Sequence, residues 1–368
     1  MNRKCTLLIT YSCNLNCIYC YEKHKSSVSM NVQTAKNIIT KEIQFIANSD
    51  KYDSIDFHFM GGEPLLNFDL IKKVCEWAWN QNFNIPFHFY VITNGTLFTD
   101  DIKQWFEYNR HLITVDMSVD GIDIVHKTNR GCSPRQLPLE WVLKNWPMSR
   151  FKMTISSQSI SHLAESIITL TNQGYNILAT LALGEEWNEE EFAMYAKEWN
   201  KIVNYYLHNE NLNIWKQLLQ SLDSLFNLKQ DKCCGSGDTF ITYNYNGDAY
   251  PCVIFSPIVW GKDIRNSIAS IDFSDIESFS DKDCRDCFIR NACKTCYGFN
   301  LLERGDLACR DKHSCNAKKI ELLFVSKFQI ELLKKVTQRA LSAKELVRLQ
   351  QAKKAFEVLS NELSVYLS

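Results

Sequence analysis

The first 206 residues alternate short β-rich runs with longer stretches in which apolar residues recur at helical spacing, as at Leu70, Val74, Trp77 and Ala78. Such alternation predicts βα units and a parallel sheet. The predicted strands are Cys5–Thr10, Ser54–Phe59, Phe87–Ile92, Ile113–Met117, Lys152–Ser156 and Ile177–Leu181. The predicted helices are Val32–Ala47, Asp69–Asn82, Asp100–Glu107, Leu139–Asn145, Ser161–Asn172 and Glu189–Tyr206.

Six successive βα units predict an α/β chain whose residues 1–206 form a partial (β/α)6 barrel resembling a TIM barrel, with its chemistry at the C-terminal strand ends. Residues 207–232 are predicted to be a helical linker. Residues 233–320 lose regular periodicity and hold nine cysteines, so we expect a small domain organised by metal. Residues 321–368 are predicted to be a helical extension, with a capping box at Ser342–Glu345.

Composition narrows the possible partners and the compartment. A hydrophobic content of 45% and a charged content of 23% are those of an ordinary globular protein. The net charge of −1 gives no electrostatic case for nucleic acid, and no apolar run approaches a membrane span. Fifteen cysteines without an export signal indicate metal ligands in a reducing compartment rather than disulfides. We therefore expect a cytoplasmic protein with no nucleic-acid or membrane partner.

The most informative motif is a cysteine loop directly after the first predicted strand. Cys13, Cys17 and Cys20 have C-x3-C-x2-C spacing, which puts three thiolates on one tight loop. Iron–sulfur clusters normally take four thiolates, so three leave one iron of a four-iron cluster open to another ligand. The alternative is structural zinc, which needs a fourth ligand. His24 is near, but the spacing is unusual for a zinc knuckle.

Polar and glycine-rich turns follow the next three predicted strands. They are Gly61-Gly62-Glu63-Pro64, Thr93-Asn94-Gly95-Thr96 and Ser118-Val119-Asp120-Gly121. Glycines let a backbone approach a ligand closely, and a carboxylate accepts hydrogen bonds from an ammonium group. Each tetrapeptide alone is also compatible with an ordinary turn. Their order at successive strand ends favours a ligand site.

Together, these residues resemble the radical S-adenosylmethionine (SAM) superfamily, whose cluster loop is C-x3-C-x-aromatic-C, with Tyr19 as the aromatic residue here. The resemblance implies that the open iron binds the amino and carboxylate groups of SAM, and that one electron cleaves SAM to a 5′-deoxyadenosyl radical. The SAM-binding residues that it implies are Gly61, Gly62, Glu63, Asn94, Ser118, Asp120, Arg130 and Ser156.

Two of these residues have open alternatives. Arg130 lies where relatives carry an H-D-x-x-R stretch, although Lys127 replaces the aspartate, and it is equally compatible with a surface salt bridge. Ser156 ends the fifth predicted strand and is assigned to the ribose by its position alone.

The C-terminal cysteines resemble the SPASM domain of peptide-modifying radical SAM enzymes. Cys234, Gly247 and Cys252 match its C-x9-15-G-x4-C part, and Cys284, Cys287 and Cys293 match the next part. Cys296 follows after two residues rather than three, Cys315 is the final cysteine, and Cys309 is an extra candidate. A zinc ribbon built from Cys284, Cys287, Cys293 and Cys296 is the alternative.

The SPASM resemblance implies two auxiliary four-iron clusters. Cys234, Cys252 and Cys296 would serve the first, and its fourth ligand stays open between Cys233, Cys309 and a substrate. The ligands implied for the second are Cys284, Cys287, Cys293 and Cys315.

The leading hypothesis is a radical SAM/SPASM maturase that forms a thioether or carbon–carbon cross-link in a ribosomally made precursor peptide. It implies three 4Fe–4S clusters, SAM, a leader-bearing peptide and an external flavodoxin- or ferredoxin-type electron donor. Because Cys13 comes so early, leader recognition is expected to use another surface or a partner protein. No catalytic side chain is nominated.

Two alternatives stay open. One is sulfatase-type maturation or another protein or small-molecule oxidation; Val253 disfavours sulfatase maturation, because those members carry an aspartate base at that position. The other is a non-catalytic iron–sulfur or zinc protein.

Overall fold

The computed structural model describes residues 1–209, 212–227, 234–336 and 339–367. The strands are β1 Asn2–Thr10, β2 Ser54–Gly61, β3 Phe87–Thr93, β4 Ile113–Ser118, β5 Phe151–Ile155, β6 Ile177–Leu181, β7 Phe240–Tyr243 and β8 Ala249–Tyr250. The helices are α1 Val32–Ala47, α2 Phe68–Trp79, α3 Asp100–Tyr108, α4 Asp123–Arg130, α5 Leu139–Asn145, α6 Leu163–Asn172, α7 Glu189–His208, α8 Pro257–Trp260, α9 Arg265–Ile268, α10 Tyr297–Arg304, α11 Lys312–Lys334 and α12 Ala343–Glu362.

The chain divides into two compact units. Unit 1 comprises residues 1–119, 130–151 and 235–275, and unit 2 comprises residues 120–129, 152–234 and 276–368. Residues 235–275, which lie within the predicted cysteine-rich domain, therefore group with the first strands of the chain. The division into four segments at residues 206/207, 232/233 and 320/321 stays a prediction.

The sheet of unit 1 is mostly parallel. Its strands follow the order β4-β3-β2-β1-β7-β8, and only β8 runs antiparallel to its neighbour. Leu7 of β1 lies opposite Phe59 of β2 on one side and Tyr243 of β7 on the other. Such central strands are covered on both faces, and Leu7, Phe57, Phe59 and Phe89 are fully buried. The C-terminal ends of β1, β2 and β3 therefore lie along one edge.

Several helices have a side-chain cap at their N-terminus, where a polar residue precedes the apolar residues of the helix. Asn31 accepts a hydrogen bond from the Thr34 amide before α1, and Thr99 accepts one from the Ile102 amide before α3. The predicted capping box at Ser342 is confirmed, since Ser342 and Glu345 exchange both hydrogen bonds.

In unit 2, β5 neighbours β6, and α7 packs against α6 and α11. Helix α12 in turn packs against α11 and buries Ala352, Ala355 and Leu359. None of the described helices is both long enough and apolar enough to cross a membrane.

All six predicted strands and all six predicted helices of the barrel region are present, and the bounds of α1, α5 and β6 match the prediction. Helix α4 and the pair β7 and β8 were missed. Helix α4, Asp123–Arg130, is short and polar, and β8 spans only Ala249–Tyr250, so both carry too few residues to show a period.

A buried ion pair connects three elements of unit 1, and we expect its disruption to destabilise the protein. The Arg3 Nε donates to Glu42 Oε2 at 2.9 Å, and the Tyr243 hydroxyl donates to Glu42 Oε1 at 2.6 Å. Glu42→Ala leaves the Arg3 charge buried and uncompensated, so the free energy of unfolding should fall by about 3–5 kcal/mol. Urea unfolding under anaerobic conditions measures this change.

The matched control is Asp69→Ala, which removes an exposed i,i+4 pair with Lys73. It should cost roughly 0.5 kcal/mol. Equal unfolding midpoints for Glu42→Ala and Asp69→Ala would contradict the assigned role of Glu42.

Candidate active site

The cysteine loop follows β1 and contains a turn between Cys17 and Cys20. The Cys20 amide donates to the Cys17 carbonyl at 3.1 Å, and the Leu15 amide donates to Cys13 Sγ at 3.5 Å. All three cysteines are partly buried. Burial raises the pKa of Cys13, the Leu15 amide and the Lys25 charge oppose this rise, and the charge of Cys20 adds to it. Cys13 and Cys20 are therefore close enough to interact electrostatically.

The two glycines after β2 lie directly against this loop. The Gly62 amide donates to the Thr10 carbonyl at 3.0 Å. A Cβ at Gly62 would stand 2.2 Å from the Ser12 carbonyl oxygen and 2.9 Å from the Cys13 Cβ. Gly61 has φ +140°, and a Cβ there would stand 2.0 Å from the Thr10 oxygen. Only glycine fits at both positions, because backbone meets backbone there.

Glu63 joins the turn after β2 to the turn after β3. Its side chain is buried, with Oε1 accepting from the Thr93 hydroxyl at 2.6 Å and from the Leu65 amide at 3.0 Å. Its Oε2 accepts from the Asn94 amide at 2.8 Å. Burial raises the pKa of Glu63, and these hydrogen bonds and the charge of Arg130 oppose that rise. The carboxylate thus fixes two loops and keeps further acceptor capacity for a ligand.

Asn14 ties the cysteine loop to the same turn after β3. The Asn94 Nδ2 donates to Asn14 Oδ1 at 2.9 Å, and the Asn14 Nδ2 donates to Thr96 Oγ1 at 2.8 Å. The Thr96 hydroxyl completes the ring by donating to Asn94 Oδ1 at 2.7 Å. Sequence reasoning missed Asn14; its place between the first two cysteines was the available signal.

Arg130 and Ser118 complete the candidate residues of unit 1. The Arg130 guanidinium lies 5.6 Å from the centre of the Tyr19 ring, and its side chain is buried. Ser118 is the last residue of β4 and is half-buried. A guanidinium held beside the cysteine loop is suited to bind a carboxylate.

The two candidate residues of unit 2 connect α4 to β5. Asp120 Oδ1 accepts from the Thr154 amide at 3.0 Å, and the Asp120 amide donates to His126 Nδ1 at 3.2 Å. The Ser156 hydroxyl donates to Asn129 Oδ1 at 2.8 Å and is fully buried. In this structure Asp120 therefore holds the backbone of β5, and Ser156 holds the Asn129 side chain of α4.

Four of the C-terminal cysteines interact with one another in unit 2. Burial raises the pKa of Cys315 to about 11, and the charges of Cys293, Cys284 and Cys287 add to the rise. The pKa of Cys284 is likewise raised, first by burial and then by its neighbours, which include Cys287 and Cys293. These are the four residues that the SPASM resemblance implies for the second auxiliary cluster.

The other implied ligands lie on several segments. Cys252 is half-buried in unit 1, whereas Cys234, Cys296 and Cys309 are half-buried residues of unit 2. Cys233 lies outside the described residues.

The comparison with protein families decides which family the chain belongs to. Residues 7–198 match the model of the radical SAM superfamily, and they extend from within β1 to the middle of α7. The chain belongs to the radical SAM superfamily.

Sequence relatives of this radical SAM protein include an uncharacterised protein of Methanocaldococcus jannaschii. It is 29% identical over 256 residues, covering 67% of this chain and 83% of that protein. The radical SAM cyclopropyl synthase TigE of Paramaledivibacter caminithermalis is 27% identical over 188 residues. That alignment covers 46% of this chain and 39% of TigE.

Two solved structures share the fold. The enzyme anSMEcpe with bound SAM has a TM-score of 0.67 at 16% identity, covering 95% of this chain and 98% of that chain. Streptococcus suis SuiB bound to its precursor peptide SuiA has a TM-score of 0.57 at 16% identity, covering 85% and 76%. The predicted α/β class, a partial barrel with a cysteine-rich C-terminal region, is confirmed.

The donor set of this radical SAM chain fits iron–sulfur clusters. Its candidate ligands are thiols, the usual ligands of cluster iron, and the three on the loop after β1 leave one iron of a four-iron cluster open to another ligand. In the described part of the chain, no three His, Cys, Asp or Glu side chains surround a point that suits a single metal ion. Cys5 and Cys75 are fully buried in the core, and burial raises the pKa of each well above its usual value.

Proposed function

We propose that this chain is a radical SAM peptide maturase that cross-links a ribosomally made precursor peptide through a thioether or carbon–carbon bond. The observation that carries the proposal is the hydrogen-bonded assembly of the cysteine loop with the turns after β2 and β3. It lies at the C-terminal ends of parallel strands, where barrel enzymes place their chemistry. In this proposal, Cys13, Cys17 and Cys20 bind the SAM-cleaving 4Fe–4S cluster.

The residues around the loop would bind and orient SAM. When bound, the cluster and SAM supply the 5′-deoxyadenosyl radical that abstracts a hydrogen atom from the peptide. Glu63 would accept a hydrogen bond from the SAM ammonium with its remaining acceptor capacity, and Arg130 beside Tyr19 would bind the SAM carboxylate. Gly61 and Gly62 would keep the turn against the cysteine loop. The first electron would come from a flavodoxin- or ferredoxin-type donor in the cytoplasm.

Four further residues are proposed to contact SAM because they lie at or just after strand ends. In unit 1, Asn94 would contact SAM together with Ser118, which ends β4. In unit 2, Asp120 and Ser156 would contribute from the hydrogen bonds that they form between α4 and the β5 segment.

A peptide substrate is supported by the auxiliary cysteines and by the neighbours. SuiB, which shares this fold, was solved with its precursor peptide SuiA. When the peptide radical forms its one new bond to sulfur or carbon, the hydrogen of that partner atom leaves as a proton and one electron is left over. The proposed auxiliary clusters would accept that electron. Val253, which follows Cys252, has no carboxylate to act as the base expected for sulfatase maturation.

The test is co-expression with the short open reading frames encoded beside this protein, followed by mass spectrometry of each peptide. We expect one peptide to lose a pair of hydrogen atoms for each cross-link and to yield cross-linked fragments. If the enzyme cleaves SAM but the mass of every neighbouring peptide is unchanged, the proposed peptide substrate is wrong. The proposed cleavage of SAM is then still supported.

Iron content tests the proposed set of three clusters. Anaerobically reconstituted protein should contain close to twelve irons and as many sulfides, because one triad and at least seven downstream cysteines are placed as cluster ligands. Chemical iron and sulfide analysis measures both. About four irons together with bound zinc would reject the two auxiliary clusters and favour a zinc ribbon.

A further inference from the structure

Arg310 connects three parts of the segment that carries the four interacting thiols. Its side chain is buried, and Nη1 donates to the Cys293 carbonyl at 2.8 Å. Its amide donates to Asp281 Oδ2 at 3.0 Å, while Asp281 Oδ1 accepts from the Asp283 amide at 2.9 Å. Asp281 thereby caps the short 3-10 turn Lys282–Cys284. One arginine and one aspartate thus order the backbone around Cys284 and Cys293.

The charge of Arg310 also acts on the thiols themselves. Burial raises the pKa of Cys293, and the charge and hydrogen bond of Arg310 oppose that rise. Burial also raises the pKa of Cys284, with Arg310 again the largest opposing influence. The charge of Lys318 acts on Cys293 and that of Lys319 acts on Cys315, but each lysine forms a salt bridge with a glutamate. Arg310 is therefore the cation whose charge acts most strongly on both Cys284 and Cys293.

The segment that carries these cysteines contacts the turn after β6. Gly184, in the turn after β6, has φ +76°, and a Cβ there would stand 2.9 Å from Glu303 Oε1 and 3.0 Å from Phe299. Both neighbours belong to α10, which follows Cys296 directly. Within unit 2, the segment is thus held at the C-terminal end of β6, the end at which parallel barrels place their chemistry.

We propose that Arg310 is a positioning residue that raises the reduction potential of an iron–sulfur cluster bound by Cys284, Cys287, Cys293 and Cys315. The inference rests on the second auxiliary cluster of the proposed function. Reduction adds one negative charge to a cluster, and a nearby buried cation stabilises that charge strongly because the surroundings screen it weakly. Cluster charge, hydrogen bonding and burial are the established determinants of such potentials. The thiolates and cluster in turn offset the cost of burying the guanidinium.

The experiment uses the full chain, reconstituted anaerobically, in four forms: wild type, Arg310→Gln, Arg310→Lys and Arg290→Gln. Arg290 is the matched control, since it lies in the same segment but donates to Ser280 Oγ and the Arg285 carbonyl. Iron content is measured first. A redox titration followed by electron paramagnetic resonance then gives the midpoint potential of each cluster signal. Signals that added SAM does not perturb are assigned to auxiliary clusters.

We expect Arg310→Gln to shift the midpoint of one auxiliary signal to a more negative potential, while Arg310→Lys and Arg290→Gln stay near wild type. If Arg310→Gln loses about four irons and Arg310→Lys keeps them, the charge is needed to hold the cluster, which also supports the proposal. An unchanged midpoint in Arg310→Gln at full iron content overturns it. Equal iron loss in both Arg310 variants overturns it too, because the retained charge would then have no effect. Wild-type protein with about four irons overturns the auxiliary clusters and this inference together, before any variant is compared.

Discussion

Cys17→Ala should abolish the reductive cleavage of SAM. Cys17 lies on the loop that holds all three predicted ligands of the SAM-cleaving cluster, and alanine cannot bind iron. About two-thirds of the wild-type iron should remain, because the cysteines of both proposed auxiliary clusters lie on segments of the chain other than this loop. Chromatographic quantification of 5′-deoxyadenosine after dithionite reduction, together with iron analysis, measures both effects.

The control for this prediction is Cys132→Ala. Cys132 is a half-buried cysteine of unit 1 that belongs to none of the cluster motifs. This variant should keep the iron content and the SAM cleavage of wild type. Production of 5′-deoxyadenosine by Cys17→Ala at the wild-type rate would disprove the assignment of the loop.

Gly62→Ala should be nearly as damaging, although the new methyl group removes no ligand. The added Cβ would stand 2.2 Å from the Ser12 carbonyl oxygen and 2.9 Å from the Cys13 Cβ, so the cysteine loop must move. Overpacking of this kind costs about 1–3 kcal/mol of stability. A displacement near 1 Å at a reacting centre can cost about 10²-fold in rate, so we expect SAM cleavage to fall by about that factor.

Gly305→Ala separates steric contact from backbone strain. Gly305 has φ +72°, and a Cβ there meets nothing within 4 Å, so alanine suffers only the left-handed conformation, at roughly 1–2 kcal/mol. This variant should lose stability but cleave SAM at the wild-type rate. The steric account of Gly62 is wrong if Gly62→Ala also keeps wild-type cleavage and an unchanged cluster absorption spectrum.

Most of the barrel region was predictable because its signals are local. Hydrophobic periodicity lies within the element that it specifies, and a polar cap directly precedes its helix, as Asn31 does for α1. Strand β7 was missed for the opposite reason. It lies in a cysteine-rich segment without a clear period, and its partner β1 is more than 200 residues away in the chain. A short window of sequence cannot indicate that two strands this far apart in the chain pair with each other.

The sequence by itself determined the chemistry of the site: the three thiols at C-x3-C-x2-C spacing, the glycine pair after β2 and the order of the turns. These features can be recognised in the sequence, because each depends on residues that are neighbours in the chain. Only the tertiary structure decided how they act together. It placed Gly62 against Ser12, the Glu63 carboxylate on Asn94, and Arg310 beside Cys293. Each of these contacts joins residues at least seventeen positions apart, and it exists only because folding brings separate strand ends and turns together.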